Sequence, residues 1–118
     1  MDYEKFCNKI LEADSKIRFA AVYDEWSNRI AGGLREGIES LLPERQEKEL
    51  VNLSVFDWKA RKDMSKALGI VSYTMAEYEK VKRFSFYLGQ EHLLLVSSEK
   101  DNDTSKVADE IIKLYHEN

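Results

Sequence analysis

The sequence has few of the residues from which small proteins usually build chemical sites. Its 118 residues include one cysteine, Cys7, and two histidines, His92 and His116. A lone cysteine excludes an internal disulfide and a zinc cage of several thiolates. Cys7 falls on the apolar stripe of a predicted helix, where a free cysteine behaves as a small hydrophobic residue. Because neither histidine has a partner at ligand spacing on a predicted helix, we expect no metal and no cofactor.

Catalytic motifs are also missing. The chain has no GxSxG sequence and no Cys/His pair that local spacing supports, which argues against nucleophilic hydrolysis. Gly32, Gly33 and Gly37 superficially resemble a phosphate loop, but the sequence lacks both the GxGxxG pattern and the terminal Lys-Ser/Thr. The expectation is a protein that is not an enzyme.

The net charge is small, and the sequence contains few of the residues that form flexible linkers. Eighteen basic residues against 22 acidic ones give a net charge of −4, which does not favour nucleic-acid binding. One proline and five glycines leave no room for a linker, so residues 1–118 are predicted to form a single domain. The N-terminal residues lack a secretory pattern, and no apolar run is long enough to span a membrane. We therefore expect a cytoplasmic protein that does not bind membranes.

Hydrophobic periodicity predicts an α+β chain in the order α-β-β-α-β-β-β-α. A helix covers residues 2–13, and strands follow at 18–23 and 30–34. A long helix begins after Pro43 and runs to about Leu68, where Gly69 is suited to cap it. Strands at 70–75, 81–88 and 93–96 precede a closing helix around residues 107–115.

The long helix carries two apolar stripes. The broader stripe is expected to cover the sheet, and it contains Leu50, Leu53, Phe56, Ala60, Met64, Ala67 and Leu68. The narrower stripe contains Val51, Val55 and Trp58. A single sheet covers only one stripe, so the narrower one is predicted to meet a second protein chain, most simply a copy of itself. Alternatively, residues 35–42 or the closing helix cover it.

Two further sites are open to more than one interpretation. Trp26, at the tip of the first predicted hairpin, is either a second interface anchor or packs onto the neighbouring helix. A small-molecule-sensing domain with a pocket between helix and sheet is the alternative function. In that case Gly32, Gly33, Arg35 and Tyr73 line the pocket, and Arg35 binds an anion.

The order of elements resembles the roadblock/dynein light chain family and, in outline, its longin and profilin-like relatives. The segments IRFAAVYDEWSNRIAGG and EYEKVKRFSFYLGQEHLLLVSS are also similar to small archaeal proteins. The resemblance implies a five-stranded antiparallel sheet in the order 2-1-5-4-3, with the long helix on one face and the terminal helices on the other. It also implies dimers formed through the long helix and the edge strand at 70–75, and a platform for small Ras-like GTPases.

The function expected from these observations is a protein–protein interaction module, a homodimeric scaffold or regulator. Its partners would be a second copy of the chain and another protein, for which fold analogy suggests a small GTPase. The predicted interface consists of Val51, Val55, Trp58, Lys62, Ile70, Ser72, Thr74 and Trp26.

Overall fold

Five strands form one antiparallel sheet with helices on both faces, as a computed structural model of the chain shows for residues 1–117. The elements are α1 (Tyr3–Ala13), β1 (Ile17–Asp24), β2 (Arg29–Leu34), α2 (Glu44–Lys62), α3 (Ser65–Leu68), β3 (Tyr73–Glu77), β4 (Val81–Leu88), β5 (His92–Glu99) and α4 (Thr104–His116). The sheet order is β2-β1-β5-β4-β3, which confirms the predicted order.

The two central strands, β1 and β5, are buried on both faces. In β1, Ala20 and Val22 contribute to the core on one face, while Ala21 and Tyr23 contribute to the core on the other. This is the expected consequence of the two-residue period of a strand. It explains why both strands are continuous apolar runs in the sequence.

The terminal helices cover one face of the sheet. Each begins with an aspartate cap: Asp2 accepts a hydrogen bond from the backbone N–H of Lys5, and Asp103 accepts one from that of Lys106. Their buried residues pack on the inward side chains of the sheet and form the larger of the two cores; they are Phe6, Cys7, Ile10, Val107, Ala108 and Ile111.

Helix α2 covers the other face, so the predicted layer arrangement is confirmed. Its buried side chains are Val51, Val55 and Trp58. They pack against the sheet residues Phe19, Ala21, Tyr23, Leu93 and Leu95. This second core is smaller, and a single helix supplies its outer layer.

The segment after α2 differs from the prediction. The helix ends at Lys62, and the single turn of α3 follows a break at Asp63 and Met64. The Ser65 hydroxyl donates to the carbonyl oxygen of Lys62 (2.8 Å), a local bond that competes with helix continuation. Gly69, predicted to cap the long helix, has φ of +87° and caps α3 instead. Strand β3 begins at Tyr73, so Ile70 and Ser72 precede it.

Within residues 1–117, each helix falls short of the length or the hydrophobicity needed to cross a bilayer.

Candidate protein interface

The predicted roles of the two stripes of α2 are wrong: the narrower stripe faces the chain's own sheet. Val51, Val55 and Trp58 are 4%, 5% and 1% exposed, and their neighbours are the residues of the second core. The sheet covers them, so neither residues 35–42 nor the closing helix is needed for that purpose. These three residues are therefore unavailable to a partner.

The size of Trp58 explains this orientation. Its ring stacks on Tyr87 with centroids 6.2 Å apart, and the Lys62 Nζ atom lies 3.9 Å from the Trp58 ring centroid. Lys62 also donates to the carbonyl oxygen of Gln90 (2.5 Å), so this predicted interface residue makes contacts within its own chain. Burying an indole removes more apolar area from water than burying any one side chain of the broader stripe.

The broader stripe of α2 faces outward. Leu53 and Phe56 are 60% and 71% exposed, and Met64, in the break just after α2, is 54% exposed. The smaller Ala60 lies between Phe56 and Met64 along the chain. We call Leu53, Phe56, Ala60 and Met64 the α2 face. Leu68 and Ile70, in and just after α3, add two more exposed large side chains. Contiguous apolar surface of this kind is typical of a binding site.

Strand β3 forms one edge of the sheet and pairs only with β4 in the described part of the chain. The carbonyl oxygen of Ser72 accepts a hydrogen bond from the backbone N–H of Tyr87 (3.4 Å). The Thr74 hydroxyl lies 3.4 Å from the Tyr87 hydroxyl and is half-buried. Ile70 and Ser72 are exposed.

Trp26 lies beside α2 yet is 72% exposed. Lys59 of α2 places its ammonium 5.0 Å from the Trp26 ring centroid. The turn itself is held by Asp24, whose Oδ1 accepts hydrogen bonds from the backbone N–H groups of Trp26 and Asn28 (2.9 Å each). Trp26 thus contacts the neighbouring helix through a cation while its indole remains accessible.

The predicted ligand pocket is not assembled. Gly32 and Gly33 are in β2 and Tyr73 is in β3, at opposite edges of the sheet. Tyr73 packs against the core of the terminal helices, with its ring centroid 5.6 Å from that of Phe86.

Arg35 is likewise committed to its own chain. Its guanidinium donates to the carbonyl oxygens of Ile17 (2.8 Å), Leu11 (2.6 Å) and Asp14 (2.8 Å). The anion-binding role that the alternative function assigns to Arg35 is therefore wrong, because these donors satisfy backbone acceptors at the end of α1 and the start of β1.

A different cleft does lie between α2 and the sheet, with a volume of about 950 Å³. The N-terminal half of α2, residues 39–42 and the ends of β1 and β4 surround it. Its apolar walls include Phe19, Leu34, Leu41, Leu42 and Leu50, and three arginines, Arg18, Arg29 and Arg83, line it. Sequence reasoning missed this site. The apolar pair Leu41-Leu42 in a segment without clear periodicity was the available signal.

The single thiol of the chain is held in its protonated form. Cys7 is buried, and burial raises the pKa of its thiol to about 12, so the thiol stays protonated at neutral pH. No three His, Cys, Asp or Glu side chains in residues 1–117 come together as a metal-binding group.

Solved structures with the same fold confirm the resemblance to roadblock domains. A roadblock/LC7 domain from Streptomyces avermitilis is 12% identical over 99% of this chain and 94% of its own, with a TM-score of 0.73. Myxococcus xanthus MglB is 16% identical over 97% of this chain and 89% of its own, with a TM-score of 0.72. Schizosaccharomyces pombe profilin is 12% identical over 98% and 95%, with a TM-score of 0.66. At these identities the likeness concerns the fold alone.

Sequence comparison assigns the family. No curated protein is similar enough in sequence to count as a relative. A model of a family of unknown function, DUF6659, matches residues 1–118. Because the match extends over all of these residues, the chain belongs to the DUF6659 family.

Proposed function

We propose that this chain is a non-enzymatic protein–protein interaction module that forms a homodimer through the α2 face. The observation that carries the proposal is the exposure of Leu53 and Phe56 on α2, whose opposite stripe is already buried, together with exposed Met64 just after the helix. Each large apolar side chain that a partner covers stabilises the complex by roughly 1.5–3 kcal/mol before the costs of association. A helix face is also a suitable self-complementary surface for a twofold dimer.

The charge distribution along α2 supports a second copy packed antiparallel. The first turn of α2 contains Glu44 and Glu47, and its last turn contains Lys59, Arg61 and Lys62. Two antiparallel helices related by a twofold axis would place the acidic end of each beside the basic end of the other. A parallel arrangement would place like charges together.

The proposed interface extends to the edge of the sheet. Ile70 and Ser72 lie in the segment that leads from α3 into β3, and Thr74 lies in β3 itself. This edge offers unpaired backbone groups in the described chain. Trp26, next to Lys59, is included as a peripheral anchor. Val51, Val55 and Trp58 support the interface only indirectly, by fixing which face of α2 points outward.

Analytical ultracentrifugation of the wild type and of Phe56→Glu tests the homodimer. We expect a concentration-dependent dimer for the wild type and a monomer for Phe56→Glu, because a charge at the centre of an apolar contact is not solvated there. Ile30→Glu is the control, since it places the same charge at another exposed apolar residue, in β2. A wild-type monomer at every concentration, or an unchanged Phe56→Glu dimer, would contradict the proposal.

We further propose that the module also binds a second, different protein, through a surface other than the homodimer contact. A small GTPase is the class that the roadblock-like resemblance implies. Small GTPases loaded with GDP or with a non-hydrolysable GTP analogue would be mixed with the chain and followed by sedimentation. Binding that depends on the nucleotide supports this part of the proposal, and no complex with any of them counts against it.

A further inference from the structure

The cleft under α2 exists because the helix contacts the sheet only along part of its length. Val51 is the first buried residue of α2, and the turns before it stand beside the cleft without filling it. Leu34, Leu41 and Leu42 supply apolar walls from β2 and the loop that follows it. A volume of about 950 Å³ is within the size range of pockets that hold small organic molecules.

The three arginines of the cleft differ in their partners. Arg18 forms an ion pair with Glu99 (3.1 Å), and Arg83 forms one with Glu47 (3.3 Å). Arg29 has no carboxylate within ion-pair distance in residues 1–117. Its guanidinium lies 5.3 Å from the Phe19 ring centroid and 5.8 Å from the Tyr23 ring centroid, and it donates a hydrogen bond to the Tyr23 hydroxyl.

This placement of Arg29 suits a carboxylate. A guanidinium has five N–H donors in a planar fork, so the bond to Tyr23 leaves donors free, and a planar carboxylate accepts two of them in parallel. Two glutamates of the cleft wall already have partners: Glu44 lies 3.7 Å from Lys48, and Glu49 lies 2.9 Å from Arg45. A third, Glu47, is half-buried and forms the ion pair with Arg83. The remaining two, Glu39 and Glu79, are exposed, where solvent and salt screen their repulsion of a ligand carboxylate.

We propose that the cleft binds an anionic amphiphile with a single alkyl chain, such as a fatty acid. Arg29 binds its carboxylate, and the alkyl chain lies along Leu34, Leu41, Leu42 and Leu50. The polar end then meets the arginine without a carboxylate partner, and the apolar end is removed from water by leucine side chains. Leu53 lines the cleft and also belongs to the α2 face, so the ligand would adjoin the proposed dimer contact.

The test compares decanoate with decanol, which share an alkyl chain and differ in the head group. Protein with isotope-labelled leucine methyl groups is titrated with each compound below its micelle concentration, and binding is followed by NMR. We expect decanoate to shift Leu34, Leu41, Leu42 and Leu50 selectively. Arg29→Gln should weaken decanoate binding by about tenfold, because a charge-assisted hydrogen bond is lost, and leave decanol unaffected.

Two variants act as controls. Arg29→Lys keeps the charge but loses the paired geometry, so its decanoate affinity should lie between those of the wild type and Arg29→Gln. Lys113→Gln removes a positive charge from α4, on the opposite face of the sheet, and should bind decanoate as the wild type does. Thermal unfolding of each variant checks that the fold is retained.

Three results would overturn the inference. The first is the absence of saturable shifts in the cleft, and the second is an equal loss of decanoate and decanol binding in Arg29→Gln. The third is decanoate binding to Phe56→Glu but not to the wild type, which would show that a partner copy fills the cleft. Sedimentation of the same samples reports the dimer separately, so failure of the ligand site and failure of the dimer are distinguishable.

Discussion

Arg35 illustrates how a single side chain acquires a role that its sequence position does not reveal. In the alternative function, a small-molecule-sensing domain, the sequence makes Arg35 the residue that binds an anion. Instead it fastens the end of α1 to the sheet by donating to the carbonyl oxygens of Leu11, Asp14 and Ile17. Backbone acceptors have no signature in the sequence, so only the fold reveals which of them an arginine satisfies.

Replacing Arg35 should therefore destabilise the fold. Arg35→Lys retains the charge but cannot reach three separated acceptors at once. We expect a loss of about 1.5–3 kcal/mol in the free energy of unfolding, the range for hydrogen bonds to a charged group. Urea denaturation measures this loss. The matched change Arg45→Lys, on the exposed side of α2, should have little effect. Equal stabilities of the two variants would refute the assignment.

The Asp24 carboxylate makes the stability of the first hairpin depend on pH. The backbone N–H of Asn28 is the main cause that lowers the pKa of the Asp24 carboxyl, and the Asn28 side chain and Trp26 N–H act in the same direction. A lowered folded-state pKa means that the contribution of Asp24 is complete above its ordinary pKa of about 3.9 and is lost as pH falls through the folded value.

The difference in stability between the wild type and Asp24→Ala should therefore be constant near neutral pH and shrink in acid. Thermal unfolding across a pH series measures this difference. An Asp24→Asn variant keeps a hydrogen-bond acceptor but has no ionisable group. The difference in stability between Asp24→Asn and Asp24→Ala should therefore not change with pH in this range. A gap between the wild type and Asp24→Ala that persists unchanged in strong acid would contradict the role of the carboxylate.

At the scale of elements, the sequence predicts where helices and strands lie better than which face of α2 is buried. Strand β4 matches its predicted bounds, Val81–Leu88, because its alternation of apolar and polar residues is regular. The two stripes of α2 were also recognised, but their roles were exchanged. Stripe width favoured the wrong face, whereas the sheet offers a site in which one large ring, Trp58, is buried.

Truncating one residue of each stripe separates their roles. Trp58→Ala should cost about 3–5 kcal/mol in the free energy of unfolding, because it leaves a cavity against the sheet. Phe56→Ala should leave the unfolding free energy of the monomer almost unchanged, as expected for an exposed position, while weakening the dimer. Urea denaturation at low protein concentration, combined with sedimentation, measures both effects. If Phe56→Ala destabilised the monomer more than Trp58→Ala, the assignment of the buried and exposed faces of α2 would be wrong.

The whole molecule consists of two unequal layers on one sheet. Two capped helices cover one face with a broad core, and among residues 1–117 α2 alone covers the other, through Val51, Val55 and Trp58. The sheet order and the distribution of helices followed from the order of elements and the family resemblance. The cleft did not, because it depends on how far the N-terminal half of α2 stands from the sheet, and hydrophobic periodicity carries no such information.

Because the core under α2 is the smaller of the two, we expect α2 to unfold locally before the rest of the fold. Local opening requires the least free energy where few buried contacts hold an element, so backbone amides of α2 should exchange with solvent faster than those of α1, α4 and the central strands. Association should slow that exchange, because a second copy would cover the α2 face. Hydrogen exchange measured at several protein concentrations should therefore show protection of α2 that rises with concentration in the wild type and stays constant in Phe56→Glu. If the protection of the α2 amides is independent of protein concentration in both proteins, association does not cover α2. The homodimer contact would then lie elsewhere.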